Sequence, residues 1–359
     1  MKTHSIEEFQ TRMGGARAGS SARRRLLAAS APVDASSPRE WRVAQTLRFD
    51  RDRVYGEGYA HLGFHGPGGV AYVLGHWANW VGALDGTGAL AWSAGALPLG
   101  GSPLHIETEL PAPMFVSGTS EGLVYVSTYL DRSVRLIEPL SRRATILVDG
   151  AALGMTDIGN CLVDGAGELW VNEVEGRAIW HFSPSGERLE RIGAPAGSGG
   201  EAHSARPGAS PLPESMRFEE ARFGWIADIR LGPSGNIYVL DAGSLALWSL
   251  DPNLRRITRV AGSGEAGDAG EGGPALLVSL GEDKSRRFGG PISLSIDEEG
   301  NAFIGDAANG RVLVVEAATG RAHAIARGLK GLCSMDYFEG RLFLPEDGGR
   351  LLVLERGDA

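Results

Sequence analysis

Gly235-Asn236-Ile237-Tyr238-Val239-Leu240-Asp241 decides the fold, because the chain keeps returning to it. A glycine opens the window, an aromatic stands three residues later inside an apolar run, and an acid closes it. Gly167-Glu168-Leu169-Trp170-Val171-Asn172-Glu173, Gly300-Asn301-Ala302-Phe303-Ile304-Gly305-Asp306 and Gly340-Arg341-Leu342-Phe343-Leu344-Pro345-Glu346 read the same way. Gly122 to Thr128 keeps the pattern but ends in Thr, and Gly69 to Gly75 is a weaker sixth copy. Upstream of each window lies a short apolar segment, such as Ile229-Arg230-Leu231, joined to it by turn residues such as Gly232-Pro233-Ser234-Gly235. Downstream come a third segment, such as Ala178 to Phe182, and a more polar fourth, such as Arg256 to Val260.

Glycine and polar residues between short alternating runs are hairpin chemistry. Six units of four antiparallel strands describe an all-β, six-bladed β-propeller, in which blades bury one another radially and no long sheet edge is left open. The last unit runs out after three strands, at Leu351 to Glu355. The strand-like segment Trp41 to Phe49 is the expected fourth, so that pairing the N-terminal strand with the last blade closes the ring.

Composition agrees. Glycine makes up 53 of 359 residues, about twice the usual ~7%, as many tight turns require. The net charge is −9, which argues against a nucleic-acid partner, since that needs a cationic face. No run approaches the ~20 apolar residues of a membrane helix. Cys161 and Cys333, the only cysteines, imply no disulfide framework, and a monomer is expected. Residues 1–40 are Ala-, Ser-, Gly- and Arg-rich without periodicity and read as a disordered tail ahead of a propeller at 41–359. Within the tail, Arg23-Arg24-Arg25 precedes Leu26 to Ala31. That apolar stretch falls short of the ~7–15 residues of a secretory signal, so the expected location is cytoplasmic, with export through a weak signal as the alternative.

Val260-Ala261-Gly262-Ser263-Gly264, Gly270 to Ala275 and Gly290-Pro291-Ile292 resemble the linker between NHL repeats, and Asp297 to Val315, with Asn309 and Arg311, resembles such a repeat. The window Gly167 to Glu173 is similar to the G-x-L-W-F-T-E repeat of virginiamycin B lyases. Both resemblances imply the six-bladed superfamily that also contains gluconolactonase-type hydrolases. Those hydrolases hold a divalent ion through a Glu ahead of the first inner strand and through Asn and Asp at the starts of later ones. The likeness implies Glu57, Asn160 and Asp228 as metal ligands for Ca, Mg, Mn or Zn. Counting back from the turn glycines, however, finds Gly159 and Ala227 at the ligand positions, with Asn160 and Asp228 one residue later, across the pleat.

In a propeller, the loop entering the first strand of a blade and the loop after its second strand open on the same face. That face is expected to gather Tyr59, Trp77, Trp225, Asn160 and Asp228 as ligand contacts, and His61 and His105 as candidate catalytic groups because neither recurs from blade to blade. The acids Glu173, Asp241, Asp306 and Glu346 do recur, and a residue demanded by one site has no reason to; they read as turn caps. The insertions at 194–222 and 262–288 are expected over the same face. Two functions fit. One is a binding propeller for a small molecule, peptide or protein at the loop-bearing face. The other is a metal-assisted lyase or hydrolase acting on a cyclic ester, with a His as general base.

Overall fold

Each recurring glycine takes a backbone conformation that other residues avoid. Gly122, Gly167, Gly235, Gly300 and Gly340 have φ between +79° and +84°. At Gly122, Gly235 and Gly340 an added Cβ meets no atom within 4 Å, so the demand for glycine is conformational, not steric. Gly235 N–H donates to Gly232 O (3.0 Å) and Gly232 N–H to Asn236 O (2.8 Å), closing a tight hairpin with a bulged glycine. The same pair of bonds recurs at Thr119–Leu123, Asp164–Glu168 and Asp297–Asn301.

The computed structural model describes residues 41–48, 60–65, 70–76, 78–84, 90–96, 102–119, 121–193, 212–286, 289–332, 334–346 and 350–357. They form a six-bladed β-propeller of four-stranded antiparallel sheets. Blade one comprises Ala60–His65, Val70–Gly75, Trp80–Leu84 and Leu90–Gly95; blade two comprises Pro113–Gly118, Val124–Thr128, Ser133–Glu138 and Arg143–Asp149. Blade three is Cys161–Val163, Leu169–Glu173, Ala178–Phe182 and Arg188–Gly193, and blade four is Ile226–Leu231, Ile237–Asp241, Ala246–Asp251 and Arg256–Ala261. Blade five is Ser293–Ile296, Ala302–Asp306, Arg311–Val315 and Ala322–Arg327. Blade six has Asp336–Phe338, Arg341–Glu346 and Arg350–Arg356, and Trp41–Arg48 supplies its outer strand, with Trp41 opposite Arg356 and Leu47 opposite Leu351. Each innermost strand touches the innermost strands on both sides, and that of blade six touches that of blade one. The ring is closed.

The core is divided among the gaps between blades. Phe303, Val312 and Val314 of blade five face Leu342, Leu344 and Leu352 of blade six, with Trp41 edge-on to Phe303 at 5.4 Å. Four further clusters fill the gaps between blades one and two, two and three, three and four, and four and five. Middle strands are therefore covered on both faces, which explains why the recurring windows read as nearly unbroken apolar runs. The fourth strands, such as Arg143–Asp149, are largely exposed and polar.

Two blades gain a strand. Ser215–Arg217 adds to the outer edge of blade four, and His105–Ile106 runs parallel to Leu90–Gly95 at the outer edge of blade one. The segment 262–286 does not hang over the channel as expected. It straps the rim of blade five, where Gly272 N–H donates to Ala322 O (2.7 Å) and Ala275 N–H to Gly320 O (2.8 Å). The proposed tail at 1–40 lies outside the described residues.

Candidate functional site in the central channel

Strand register places the inner-strand residues in tiers around the channel. His61 lies opposite Leu74, Phe115 opposite Ser127, Asn160 opposite Asn172, Asp228 opposite Leu240 and Ser293 opposite Gly305. Each of those partners is the fifth residue after its blade's turn glycine, so these five inner-strand positions share one level. Two residues further along, Ser117, Arg230, Ser295 and Asp336 lie opposite the recurring aromatics Tyr125, Tyr238, Phe303 and Phe343 and form the next level. Residues two apart on a strand share a face, so Asp228 and Arg230 project together.

They meet in a buried network. Asn160 Nδ2–H donates to Asp228 Oδ1, linking blades three and four. Leu294 N–H of blade five donates to Asp228 Oδ2 at 2.9 Å, and Arg230 Nη2 lies 3.2 Å from the same oxygen. Arg230 Nε–H donates to Leu294 O (2.7 Å) and Nη2–H to Met335 O (3.3 Å), just ahead of the inner strand of blade six. The guanidinium carbon stands 4.7 Å from the ring centre of Phe115, in blade two. One arginine thus touches four blades, and five are joined once Asn160 is counted. Only a group near the axis has that reach. Arg230 is 8% exposed, and its Nη1 has no hydrogen-bond partner among the described residues. Burial pushes the Asp228 carboxyl up to about 6, against the opposing pull of Arg230, Leu294 N–H and Asn160, with Asp336 adding to the rise.

This geometry tests the expected metal site. Asn160 and Asp228 come together, but Asn160 presents its NH₂ to Asp228, and the Asp228 oxygens already accept from Asn160, Leu294 and Arg230. A positive charge is in place beside them. A divalent ion does not fit between Asn160 and Asp228, because it would meet the guanidinium at close range and would have to displace these donors. Glu57, the third proposed ligand, lies outside the described residues, as do Tyr59 and Trp77.

The two candidate histidines do not converge. His61 lies on the innermost strand of blade one, and His105 on its outermost, where it pairs with Ser93 Oγ at 2.9 Å. Four strand spacings separate them, roughly 19 Å. The short parallel strand that carries His105 off to the rim is held by tertiary pairing that no local pattern announces. Trp225 is half-buried ahead of the inner strand of blade four and packs toward Gly290, so it does stand at the loop-bearing end. His76, at that same end of blade one, is buried; its Nδ1–H donates to Pro113 O (3.0 Å), and burial lowers its pKa.

Three of the recurring acids are clamps; the side chain of the fourth, Glu346, lies outside the described ones. Glu173 accepts from Thr156 N–H (2.7 Å) and Trp180 Nε1–H (2.8 Å), Asp241 from Gly224 N–H (3.0 Å) and Ser244 N–H (3.1 Å), and Asp306 from Gly281 N–H (2.8 Å). Each ties the turn after strand two to the loop entering strand one. At the opposite end of the disc, Asp164, Glu168 and His181 bring two carboxylates and an imidazole within 4.8 Å of one another, a group that could hold a metal ion. Its members already have partners. Asp164 accepts from Ala166 N–H (2.9 Å) and Trp170 Nε1–H (3.0 Å), and Glu168 pairs with His181 Nε2 (2.8 Å).

No family model and no curated protein matches the sequence. Solved structures do resemble the fold. A catalytically inactive virginiamycin B lyase from Staphylococcus aureus with quinupristin is 10% identical, with a TM-score of 0.54 over 88% of this chain and 99% of that one. A gluconolactonase from Xanthomonas campestris is 11% identical, with a TM-score of 0.54 over 92% of this chain and 99% of its own. An auxiliary nutrient binding protein from Bacteroides thetaiotaomicron is 12% identical, with a TM-score of 0.50 over 80% of this chain and 66% of its own. The protein is a six-bladed propeller structurally similar to virginiamycin B lyase and gluconolactonase. That architecture serves lyases, lactonases and binding proteins alike, so the site must carry the functional argument.

Proposed function

We propose that this propeller is a binding protein for a small polar molecule, received at the channel level that carries His61, Phe115, Asn160, Asp228 and Ser293. The observation that carries the reading is the buried Arg230–Asp228–Asn160 network on the axis. Charged groups cost several kcal/mol to bury unless something repays them, and this trio is placed where six blades converge. Its depth favours a small molecule over a protein or peptide, whose contacts stay on the surface. The absence of a good fit for a cation between Asn160 and Asp228 supports binding over metal-assisted opening of a cyclic ester. Metal-assisted lyase or hydrolase chemistry is the second reading, and the Asp164–Glu168–His181 group is the observation that favours it.

A thermal-shift screen of small polar metabolites against the wild type and Asn160→Leu tests the first reading. Ligands that stabilise the wild type and lose their effect in the variant support it. Turnover of a lactone that requires an added divalent ion and is lost in His181→Ala would replace it with the second.

A further inference from the structure

Arg230 stands one level further along the channel than Asn160 and Asp228, two of the ligands that the family resemblance implies for a divalent ion, and reaches back to Asp228. Its guanidinium is surrounded by the kind of oxygens a metal would recruit: Asp228 Oδ2 at 3.2 Å, Leu294 O at 2.7 Å from Nε and Met335 O at 3.3 Å from Nη2. Phe115 covers one face at 4.7 Å, a cation–π contact that strengthens as water is excluded. These contacts use two of the three guanidinium nitrogens. Nη1 is left buried with no acceptor among the described residues. Leaving a buried donor unpaired costs roughly 1–3 kcal/mol, more for a charged group. Arg311, fully buried on a strand of blade five beside Asp306, has an acceptor for every nitrogen.

We propose that the unpaired Nη1–H of Arg230 receives the carboxylate of a small organic acid, so that the channel recognises its ligand with a built-in guanidinium instead of a bound metal. The proposal rests on the small-ligand reading above and names the ligand class for that site. A carboxylate is the acceptor best matched to a guanidinium, through a charge-assisted bond about twice as strong as a neutral one. Among the described side chains, the charged groups beside Arg230 are Asp228 on the same strand and Asp336 on the inner strand of blade six; from blades three and five, Asn160 and Leu294 contribute no charge, and His61 of blade one, on the neighbouring level, has a side chain outside the described ones. Repulsion between Asp228 and an incoming carboxylate is relieved when Asp228 takes up a proton. Binding is therefore expected to tighten between pH 7.5 and pH 5.5.

Calorimetric titration tests this with acetate and benzoate against their neutral isosteres acetamide and benzamide. The expected result is carboxylate binding about tenfold or more tighter than amide binding, stronger at the lower pH. Arg230→Lys should retain part of the preference. The double substitution Arg230→Met with Asp228→Asn, which removes both charges together and so leaves none stranded, should abolish it. Equal binding of acid and amide, or a preference that survives in the double variant, overturns the proposal while leaving the small-ligand reading intact. If neither acetate nor benzoate binds up to about 20 mM, the proposal fails; if in addition the metabolite screen is silent, the small-ligand reading fails with it.

Discussion

Two buried arginines, Arg311 and Arg230, each stand beside an aspartate, and they do different jobs. In blade five, Arg311 Nε–H donates to Asp306 Oδ2 at 2.8 Å with both side chains fully buried. Its Nη2–H reaches Ser279 O (2.8 Å), and its Nη1–H reaches Asp268 O and Glu271 Oε2 (both 3.3 Å). Glu271 also pairs with Arg327 and accepts from Ala324 N–H (3.1 Å). Nε is spent on Asp306 and both Nη groups on the strap at 262–286, so this network is mortar. At the axis, Arg230 spends Nε and Nη2 on backbone carbonyls and Asp228 and keeps Nη1 unspent. The saturated ion pair explains itself as structure, whereas the unpaired donor of Arg230 is the group that the proposed carboxylate would meet.

Breaking the rim network is expected to have the largest effect. Arg311→Met strands Asp306 in the core and releases the strap, so urea denaturation should show a loss of about 3–5 kcal/mol. Hydrogen exchange should rise across residues 262–286. A loss below about 1 kcal/mol would mean that the strap holds without its clamp.

At the axis, charge matters through pH. The Asp228 carboxyl is raised to about 6 by burial, above its unfolded value of 3.8. The folded protein therefore binds the proton more tightly than the unfolded chain does, and this contribution to stability is present below about pH 4 and lost as pH rises through about 6. Asp241 is raised to about 6 for the same reason and adds to the slope. Thermal unfolding of Asp228→Asn between pH 4 and pH 7 should show a shallower fall than the wild type, with Asp241 and the likewise raised Asp157 and Asp297 contributing to what remains. An unchanged slope would mean that Asp228 stays ionised throughout.

Smaller effects sharpen the contrast. Phe115→Leu removes the ring beneath the Arg230 guanidinium while keeping an apolar side chain, and should cost about 1–2 kcal/mol in a urea melt and weaken carboxylate binding. Arg177 lies in a tight turn with φ of +56°, and its side chain is exposed. Arg177→Gly should stabilise by about 0.5–1 kcal/mol, since glycine carries no left-handed penalty. These two outcomes separate cost from packing at the axis and cost from backbone strain in a turn of the loop-bearing face.

The fold was legible because backbone conformation repeats. A glycine forced to φ near +80° in blade after blade leaves a mark on the sequence that survives divergence elsewhere. The clamping role of Glu173, Asp241 and Asp306 was legible for the same reason, since their recurrence argued against a single site. Asn160 and Asp228 were legible as equivalent positions in adjacent blades near the channel, though not as partners of each other. Arg230 went unnoticed, yet a signal was there: Asp228-x-Arg230 puts opposite charges on one face of an otherwise apolar inner strand. The placement of His105 left no such mark, because a two-residue parallel strand is fixed by its neighbour and not by its own residues.

With Arg230 in place the channel carries its own cation, and a metal between Asn160 and Asp228 would have to displace the donors that now hold them. Titration of the wild type and Asp228→Asn with Ca²⁺, Mg²⁺, Mn²⁺ and Zn²⁺, followed by calorimetry, tests it most directly. The two proteins are expected to respond alike to every ion, whatever Asp164, Glu168 and His181 bind at the far end of the disc. Stoichiometric binding of any of these ions to the wild type that Asp228→Asn abolishes would contradict it.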